Sequence, residues 1–67
     1  MLYANHISNP VGESFLALVN DETLTWESQP PGKDIPKPMT LYFSRHGALG
    51  SGKNFTIFPG GRAEHAK

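Results

Sequence analysis

One stretch of the chain combines glycine spacing with basic side chains in a way that suggests phosphate chemistry. Gly47, four intervening residues and then Gly52-Lys53 fit the pattern G-x-x-x-x-G-K of a nucleotide-binding loop. That pattern next requires a serine or threonine to hold magnesium, but this chain has Asn54. It also requires a helix, whereas the following residues, NFTIFPGG, are typical of a strand. We therefore expect no nucleotide hydrolysis. These residues could still form a flexible loop that binds an isolated phosphate or carboxylate.

The residues beside this loop predict a binding surface. Alternation in 39–45 places Leu41 and Phe43 on one face, so that Tyr42 points to the other. An exposed tyrosine rimmed by arginine and lysine suits a protein contact, because Tyr and Arg are enriched at interface hot spots. The same combination stacks and neutralises single-stranded nucleic acid. The predicted binding residues are Tyr42, Arg45, His46, Gly50, Gly52, Lys53 and Phe58.

Three histidines, His6, His46 and His65, are the candidates for acid–base chemistry or metal binding. A histidine pair, with Arg45 or Lys53 steadying a phosphate, would suit ribonuclease-like catalysis. However, no two histidines have the i, i+4 spacing of a helical metal site, and the chain has no cysteine. We expect no metal, no cofactor and no enzymatic activity, and a small hydrolase or nuclease is the least favoured function.

Short strands are the elements that would position these residues. The apolar and alternating runs predict strands at 2–7, 15–19, 23–27, 40–45 and 54–58. We expect an all-β fold, a small curved antiparallel sheet or open barrel of four to five short strands. In size this resembles an SH3 or OB domain, which is an analogy of architecture only.

The sequence leaves two interpretations open for the segment 14–22. The run SFLALV is compatible with a buried strand or with a short helix capped by Ser14. Because TLTWE after it alternates as a strand does, a hairpin turning at Asn20-Asp21 is the simpler interpretation. The predicted core is Leu16, Leu18, Leu24, Trp26, Leu41, Phe43, Phe55 and Ile57.

Length and composition predict one domain, residues 1–67, without disulfide bonds. Residues 28–38 include four prolines and are predicted to be an extended connector, and residues 62–67 a flexible tail. A domain this small buries only about 60% of the surface that its unfolded chain exposes, so a partner or self-association often adds stability.

The charges are separated along the sequence although they cancel overall. The formal net charge is −4 before Lys33 and +4 from Lys33 onward. Oppositely charged strands could attract each other within one sheet, or the basic half could face an acidic partner.

These observations favour a non-enzymatic binding module, an accessory, regulatory or inhibitory protein that contacts a larger protein or forms a homo-oligomer. The compact inhibitors encoded by viruses are one such kind. A single-stranded nucleic-acid binder that uses the same face is the alternative. The composition also predicts a cytoplasmic protein without membrane association, since the longest uninterrupted apolar run is Phe15 to Val19.

Overall fold

The computed structural model describes residues 1–47 and 50–67, and it is built from antiparallel strands. The strands of the described residues are β1 Leu2–Ser8, β2 Ser14–Asn20, β3 Thr25–Gln29, β4 Met39–Arg45, β5 Gly52–Phe58 and β6 Arg62–His65. Among these residues no helix is long and apolar enough to cross a membrane. The fold class is all-β, as the sequence predicts.

The strands form two meanders, β1–β2–β3 and β4–β5–β6, which close on each other as a barrel in the order β1-β2-β3-β6-β5-β4. The seam between β1 and β4 is short, with the pairs Tyr3↔Arg45 and Ala4↔Ser44. The seam between β3 and β6 has the single pair Thr25↔Arg62. Closure removes most of the unpaired strand edge that an open sheet would expose.

Side chains supplement the backbone pairing at both seams. The Asn5 side-chain amide donates to the carbonyl of Tyr42 at 2.8 Å, which links β1 to β4 beyond the last ladder pair. The Trp26 indole N–H donates to the carbonyl of Phe58 at 2.7 Å, which links β3 to the end of β5. These two side-chain hydrogen bonds, the first exposed and the second half-buried, add to the closure of the barrel where the ladders stop.

The core differs from the prediction at three leucines. Trp26, Phe43, Phe55 and Ile57 are buried as predicted, and Leu41 packs partly buried against the core. Leu16, Leu18 and Leu24 are only half-buried. The inward face of β2 instead carries Phe15, Ala17 and Val19. The buried apolar set is completed by Tyr3, Ile7, Ile35 and Ala63.

The third strand begins later than expected because Leu24 belongs to a turn. Its φ is 55°, and its N–H donates to the carbonyl of Asn20 at 2.9 Å. The Asn20 side chain accepts from the N–H groups of Glu22 and Thr23, which closes the turn as an Asx motif. The segment 14–22 is thus strand β2 and the start of a turn, and the helical alternative for it is wrong.

The tail that the sequence predicts to be flexible forms β6 at residues 62–65. Gly60 and Gly61 have φ of 93° and 98°, which lets the chain reverse after β5. Arg62 then pairs with Phe58, and Ala63, 1% exposed, enters the core. The prediction of a flexible tail is wrong because β5 offers these few residues a strand edge with which they pair.

The proline-rich connector runs from residue 30 to residue 38, since Ser28 and Gln29 belong to β3. It is not simply an extended crossing, because Ile35 is buried in the core with 4% of its surface exposed. The Ser28 hydroxyl donates to the carbonyl of Pro30 and accepts from the N–H of Lys33. The Asp34 carboxylate accepts from the N–H of Gly60.

Candidate functional site

Two of the predicted basic residues lie together at the end of the barrel where β4 ends and β5 begins. Arg45 is the last residue of β4 and pairs with Tyr3 of β1. Lys53 pairs with Phe43, and its ammonium lies 5.7 Å from the centre of the Tyr3 ring. Directly paired residues share a face of the sheet, so Arg45, Lys53 and Tyr3 lie on the inward face at this opening.

An aromatic row lies below this opening. The ring centres of Tyr3 and Phe55 are 5.2 Å apart, and those of Phe55 and His65 are 5.1 Å apart. Tyr3 and Phe55 are buried, whereas His65 is exposed. His65 is a candidate acid–base residue in the sequence but is absent from the predicted binding residues, and it lies in the segment predicted to be a flexible tail.

The C-terminal residues add a further cation to the same end. The N–H of Ala66 donates to the carbonyl of Asn54 at 3.0 Å, which places Lys67 beside the start of β5. Arg45, Lys53 and Lys67 have no ion-pair partner within the described part of the chain. We call Arg45, His46, Lys53 and Lys67 together the basic mouth.

Carboxylates at the neighbouring turn are held by the N-terminal ammonium. The Met1 amine lies 3.0 Å from Asp21 and 3.2 Å from Glu22. Its hydrogen bond to Asp21 holds the pKa of that carboxyl below its ordinary value, and the more distant charge of Lys53 acts in the same direction. The same two carboxylates raise the pKa of the amine. The basic mouth therefore has acidic groups beside it, but their nearest cation is Met1.

Tyr42 lies on the opposite face of β4, where the sequence places it, and 52% of its surface is exposed. Its ring lies across Gly52: a Cβ built at Gly52 would stand 2.5 Å from the Tyr42 hydroxyl and 2.4 Å from the carbonyl oxygen of Phe43. Gly52 is therefore needed for close packing, because any side chain would displace the tyrosine and strain the backbone. Tyr42 and Gly52 form one contact, next to the basic mouth and outside the barrel.

Phe58 is the predicted site residue that the structure does not bring to the others. It ends β5, so it lies about 20 Å along the strand from Gly52 at about 3.3 Å per residue. The guanidinium of Arg62 lies 3.8 Å from the centre of its ring. Arg62 is in turn paired with Glu64, so this arginine already has both an aromatic and a carboxylate partner.

The remaining loop residues have backbone roles. The N–H of His46 donates to the carbonyl of Leu2 at 2.8 Å, which fixes the start of the loop to β1. Gly50 has a φ of 77°, a conformation that favours glycine. Residues 48 and 49, which belong to the predicted flexible loop, lie outside the described residues. The loop is followed by strand β5, as predicted, so the helix of a nucleotide-binding loop is replaced by a strand.

Within residues 1–47 and 50–67, no group of three or more histidine, aspartate or glutamate side chains could hold a metal ion. The three histidines are distributed over β1, the β4–β5 loop and β6. His65 contacts Phe55, and no side-chain hydrogen bond of the described residues involves a histidine. Acid–base catalysis usually needs a positioned partner within hydrogen-bond reach.

A salt bridge attaches the connector to the β1–β2 turn. The Lys33 ammonium lies 2.6 Å from the Glu13 carboxylate, which also accepts from the Asn9 side chain at 3.1 Å. The Lys33 hydrogen bond, followed by that of Asn9, holds the pKa of Glu13 below its ordinary value of 4.5. The connector is thus held to the turn by a pair that depends on pH.

Acidification should release this contact while the barrel remains folded. Because the folded pKa of Glu13 is lowered, the pair stabilises the fold fully above pH 4.5 and stops doing so as the pH falls through the lowered value. The Lys33 amide resonance should move with this titration in an NMR pH series, and the effect should shrink at high salt. Glu13→Gln is the control, and an identical pH profile in this variant would assign the change to another group.

Comparison with protein-family models, with curated proteins and with solved structures gives no match to this chain.

Proposed function

We propose that this protein is a non-enzymatic binding module that contacts an acidic segment of a larger protein through its basic mouth. One observation carries the proposal: Arg45, Lys53 and Lys67 gather at one end of the barrel without ion-pair partners among the described residues. Charged groups held on a rigid barrel are pre-organised for a partner of opposite charge, and steer its approach. Tyr42 supplies the exposed aromatic surface beside them.

The charge separation of the sequence supports the choice of an acidic partner. Glu13 is engaged by Lys33, Glu64 by Arg62, and Asp21 by the terminal amine. Four lysine and arginine side chains then have no ion-pair partner among the described residues, and three of them, Arg45, Lys53 and Lys67, lie together in the basic mouth, whereas Lys37 lies apart on the connector. A protein this small that contacts a larger protein would act as an accessory, regulatory or inhibitory subunit, and we include that role in the proposal. The proposal also includes a cytoplasmic location and membership of the compact inhibitors that viruses encode.

Reversing the charge of the mouth should abolish partner capture. We expect Arg45→Glu/Lys53→Glu to lose the proteins that the tagged wild-type chain captures from an extract of its own host. Truncating one partner of a hydrogen-bonded charge pair that is buried in an interface typically costs about 2–5 kcal/mol, so the reversal of two such charges should remove measurable capture. The measurement is quantitative mass spectrometry of the captured proteins, and far-UV circular dichroism checks that the variant is folded.

Lys37→Glu is the matched control, because Lys37 is an exposed cation of the connector without an ion-pair partner in the described residues. It should leave capture unchanged.

Val11→Asp tests a different surface, the exposed apolar tip of the β1–β2 turn, where Val11 is 83% exposed. Loss of capture in Val11→Asp together with normal capture in the mouth variant would move the contact surface to that turn.

Binding of single-stranded nucleic acid is the second candidate, favoured by the exposed ring of Tyr42, which lies on the outer face of β4 near the end of the strand that carries Arg45. It is weaker because Phe58, the second predicted stacking residue, is covered by Arg62. Nuclease treatment of the extract separates the two candidates, since capture through nucleic acid would disappear. Direct binding of a labelled oligothymidine should then be steeply salt-dependent and lost in Tyr42→Ala.

A further inference from the structure

Strand β2 carries apolar side chains on both of its faces. Phe15, Ala17 and Val19 point into the core, so Leu16 and Leu18 point outward. When one face of an antiparallel sheet is solvated, its residues are normally polar, whereas an uninterrupted apolar strand is typical of a sheet that is covered on both faces. The outer face of β2 therefore has the side chains of a covered surface.

The apolar surface of β2 continues onto β1. Ladder pairing places Ala4 beside Leu18, and Leu2, which is 40% exposed, lies on the same face as Ala4. In the described part of the chain, Leu2, Leu16 and Leu18 neither belong to the core cluster nor pack against it. We call Leu2, Ala4, Leu16 and Leu18 together the outer apolar face.

The outer face of the other meander, β4–β5–β6, is mostly polar. The hydroxyls of Thr40 and Thr56 are hydrogen-bonded to each other at 2.7 Å across β4 and β5. At the other end of this face, the guanidinium of Arg62 covers the Phe58 ring and also pairs with Glu64. Side chains on that face therefore contact one another, whereas those of the outer apolar face remain half-buried or exposed.

The two borders of the outer apolar face are complementary to each other. On β1, the exposed His6 pairs with Leu16, and on β3, the exposed Glu27 pairs with Leu18. Among the described residues, neither the His6 nor the Glu27 side chain has a hydrogen bond or an ion pair. An imidazole N–H can donate to a carboxylate. The face thus has a donor on one border, an acceptor on the other and leucines between them.

A two-fold axis along β2 brings these two borders together. When two such sheets are stacked face to face about this axis, β2 lies over β2, and β1 of each copy lies over β3 of the other. Leu16 and Leu18 then contact the same residues of the second copy. His6 lies over Gln29 of the second copy, two residues along the strand from its Glu27. Stacked sheets lie within about 30° of parallel, which is compatible with this arrangement.

The distance between His6 and Glu27 in this arrangement suits a hydrogen bond. With sheets about 10 Å apart and an offset of two residues at about 3.3 Å each, their Cα atoms would be about 12 Å apart. Two extended side chains and one hydrogen bond span that distance. Because a two-fold interface is isologous, both His6–Glu27 contacts form at once. This self-complementarity selects a second copy of the chain as the occupant of the face.

We propose that the outer apolar face is a dimer interface, on which the β1–β2–β3 meander of a second copy of the chain is stacked. Burial of the leucines supplies the affinity, and the two His6–Glu27 hydrogen bonds fix the alignment. The face measures about 14 Å across three strands and about 17 Å along five residues. This is below the roughly 800 Å² per partner of a standard interface, so the dimer is weak, with a dissociation constant on the order of 0.1 mM. Because the axis runs along the strands, both basic mouths lie at the same end of the dimer.

The test is sedimentation equilibrium of the full chain at neutral pH and low salt, from about 10 µM to about 1 mM. We expect the average mass to rise from that of the monomer toward that of a dimer. Leu18→Lys, which places a charge in the centre of the face, should raise the dissociation constant at least about tenfold. Val11→Lys places the same charge on the exposed β1–β2 turn and should leave the constant unchanged. Dilution of the ¹⁵N-labelled wild-type chain should also shift the amide resonances of β2 but not those of the β5–β6 turn, a readout that needs no variant.

A charge exchange tests the two-fold arrangement. His6→Glu and Glu27→Lys should each weaken the dimer about threefold to tenfold, because two acceptors or two donors then face each other. The double variant carries the same pair with donor and acceptor exchanged, and its affinity should return to within about twofold of wild type. A double variant as weak as the two single effects combined would overturn the axis along β2. The dimer itself is overturned if the mass stays monomeric at about 1 mM, or if Val11→Lys abolishes association and Leu18→Lys does not.

Discussion

The Phe55→Ala variant should be largely unfolded at room temperature. Phe55 has no exposed surface, and its ring contacts those of Tyr3, Phe43 and His65 at centre distances of 5.1 to 5.9 Å. Truncating a buried phenylalanine costs about 3–5 kcal/mol. At about 0.05–0.15 kcal/mol per residue, a chain of this length has a total unfolding free energy of about 3–10 kcal/mol. The loss is therefore comparable to the whole stability.

Urea unfolding followed by fluorescence of Trp26, the one tryptophan of the chain, measures this effect. Trp26 is 5% exposed and lies parallel to Phe15 at 6.4 Å, so its emission should shift to the red when the barrel opens. Circular dichroism would show whether Phe55→Ala retains any strand signal without denaturant.

Leu18→Ala is the control for this prediction and also tests the register of β2. Leu18 is on the outer face and only half-buried, so its truncation should cost less than about 1 kcal/mol. The sequence predicts the opposite, because its alternation places Leu18 in the core. A Leu18→Ala loss as large as that of Phe55→Ala would mean that β2 is shifted by one residue, with its two faces exchanged.

The register of β2 was not predictable from β2 itself. The run Phe15 to Val19 is apolar at every position, so neither face is marked by polar residues. Pairing with β1 decides which face of β2 is buried, because Ile7 pairs with Phe15 and Tyr3 pairs with Val19. In β5 the same problem does not arise, since Phe55 and Ile57 alternate with Asn54 and Thr56.

The part of the site that lies on one hairpin was predicted, and the part that depends on barrel closure was not. Arg45, Lys53 and Gly52 belong to β4 and β5, which pair directly, so local alternation was enough to place them together. His65 and Lys67 reach the basic mouth only because β6 pairs with β5. The sequence places Phe58 in the binding surface because nothing within β5 shows that Arg62 of β6 covers the Phe58 ring.

Ile35→Ala should destabilise the barrel although Ile35 belongs to no strand. Ile35 is 4% exposed and packs into the core cluster, and Asp34 beside it holds the Gly60 turn. Truncation of a buried isoleucine costs about 2–5 kcal/mol. For a domain of this size each kcal/mol lowers the melting temperature by about 4–8 °C. Thermal unfolding followed by circular dichroism should therefore show a decrease of at least about 8 °C.

Val11→Ala is the matched truncation of an exposed apolar residue on the neighbouring turn, and its effect should stay within about 0.5 kcal/mol. An Ile35→Ala variant with an unchanged melting temperature would mean that the connector is a loose crossing, as the proline content alone suggests. In that case the Lys33–Glu13 pair and the Asp34–Gly60 contact would not fix the path of the connector either. The melting temperature of Ile35→Ala therefore measures how much the connector adds to the stability of the core.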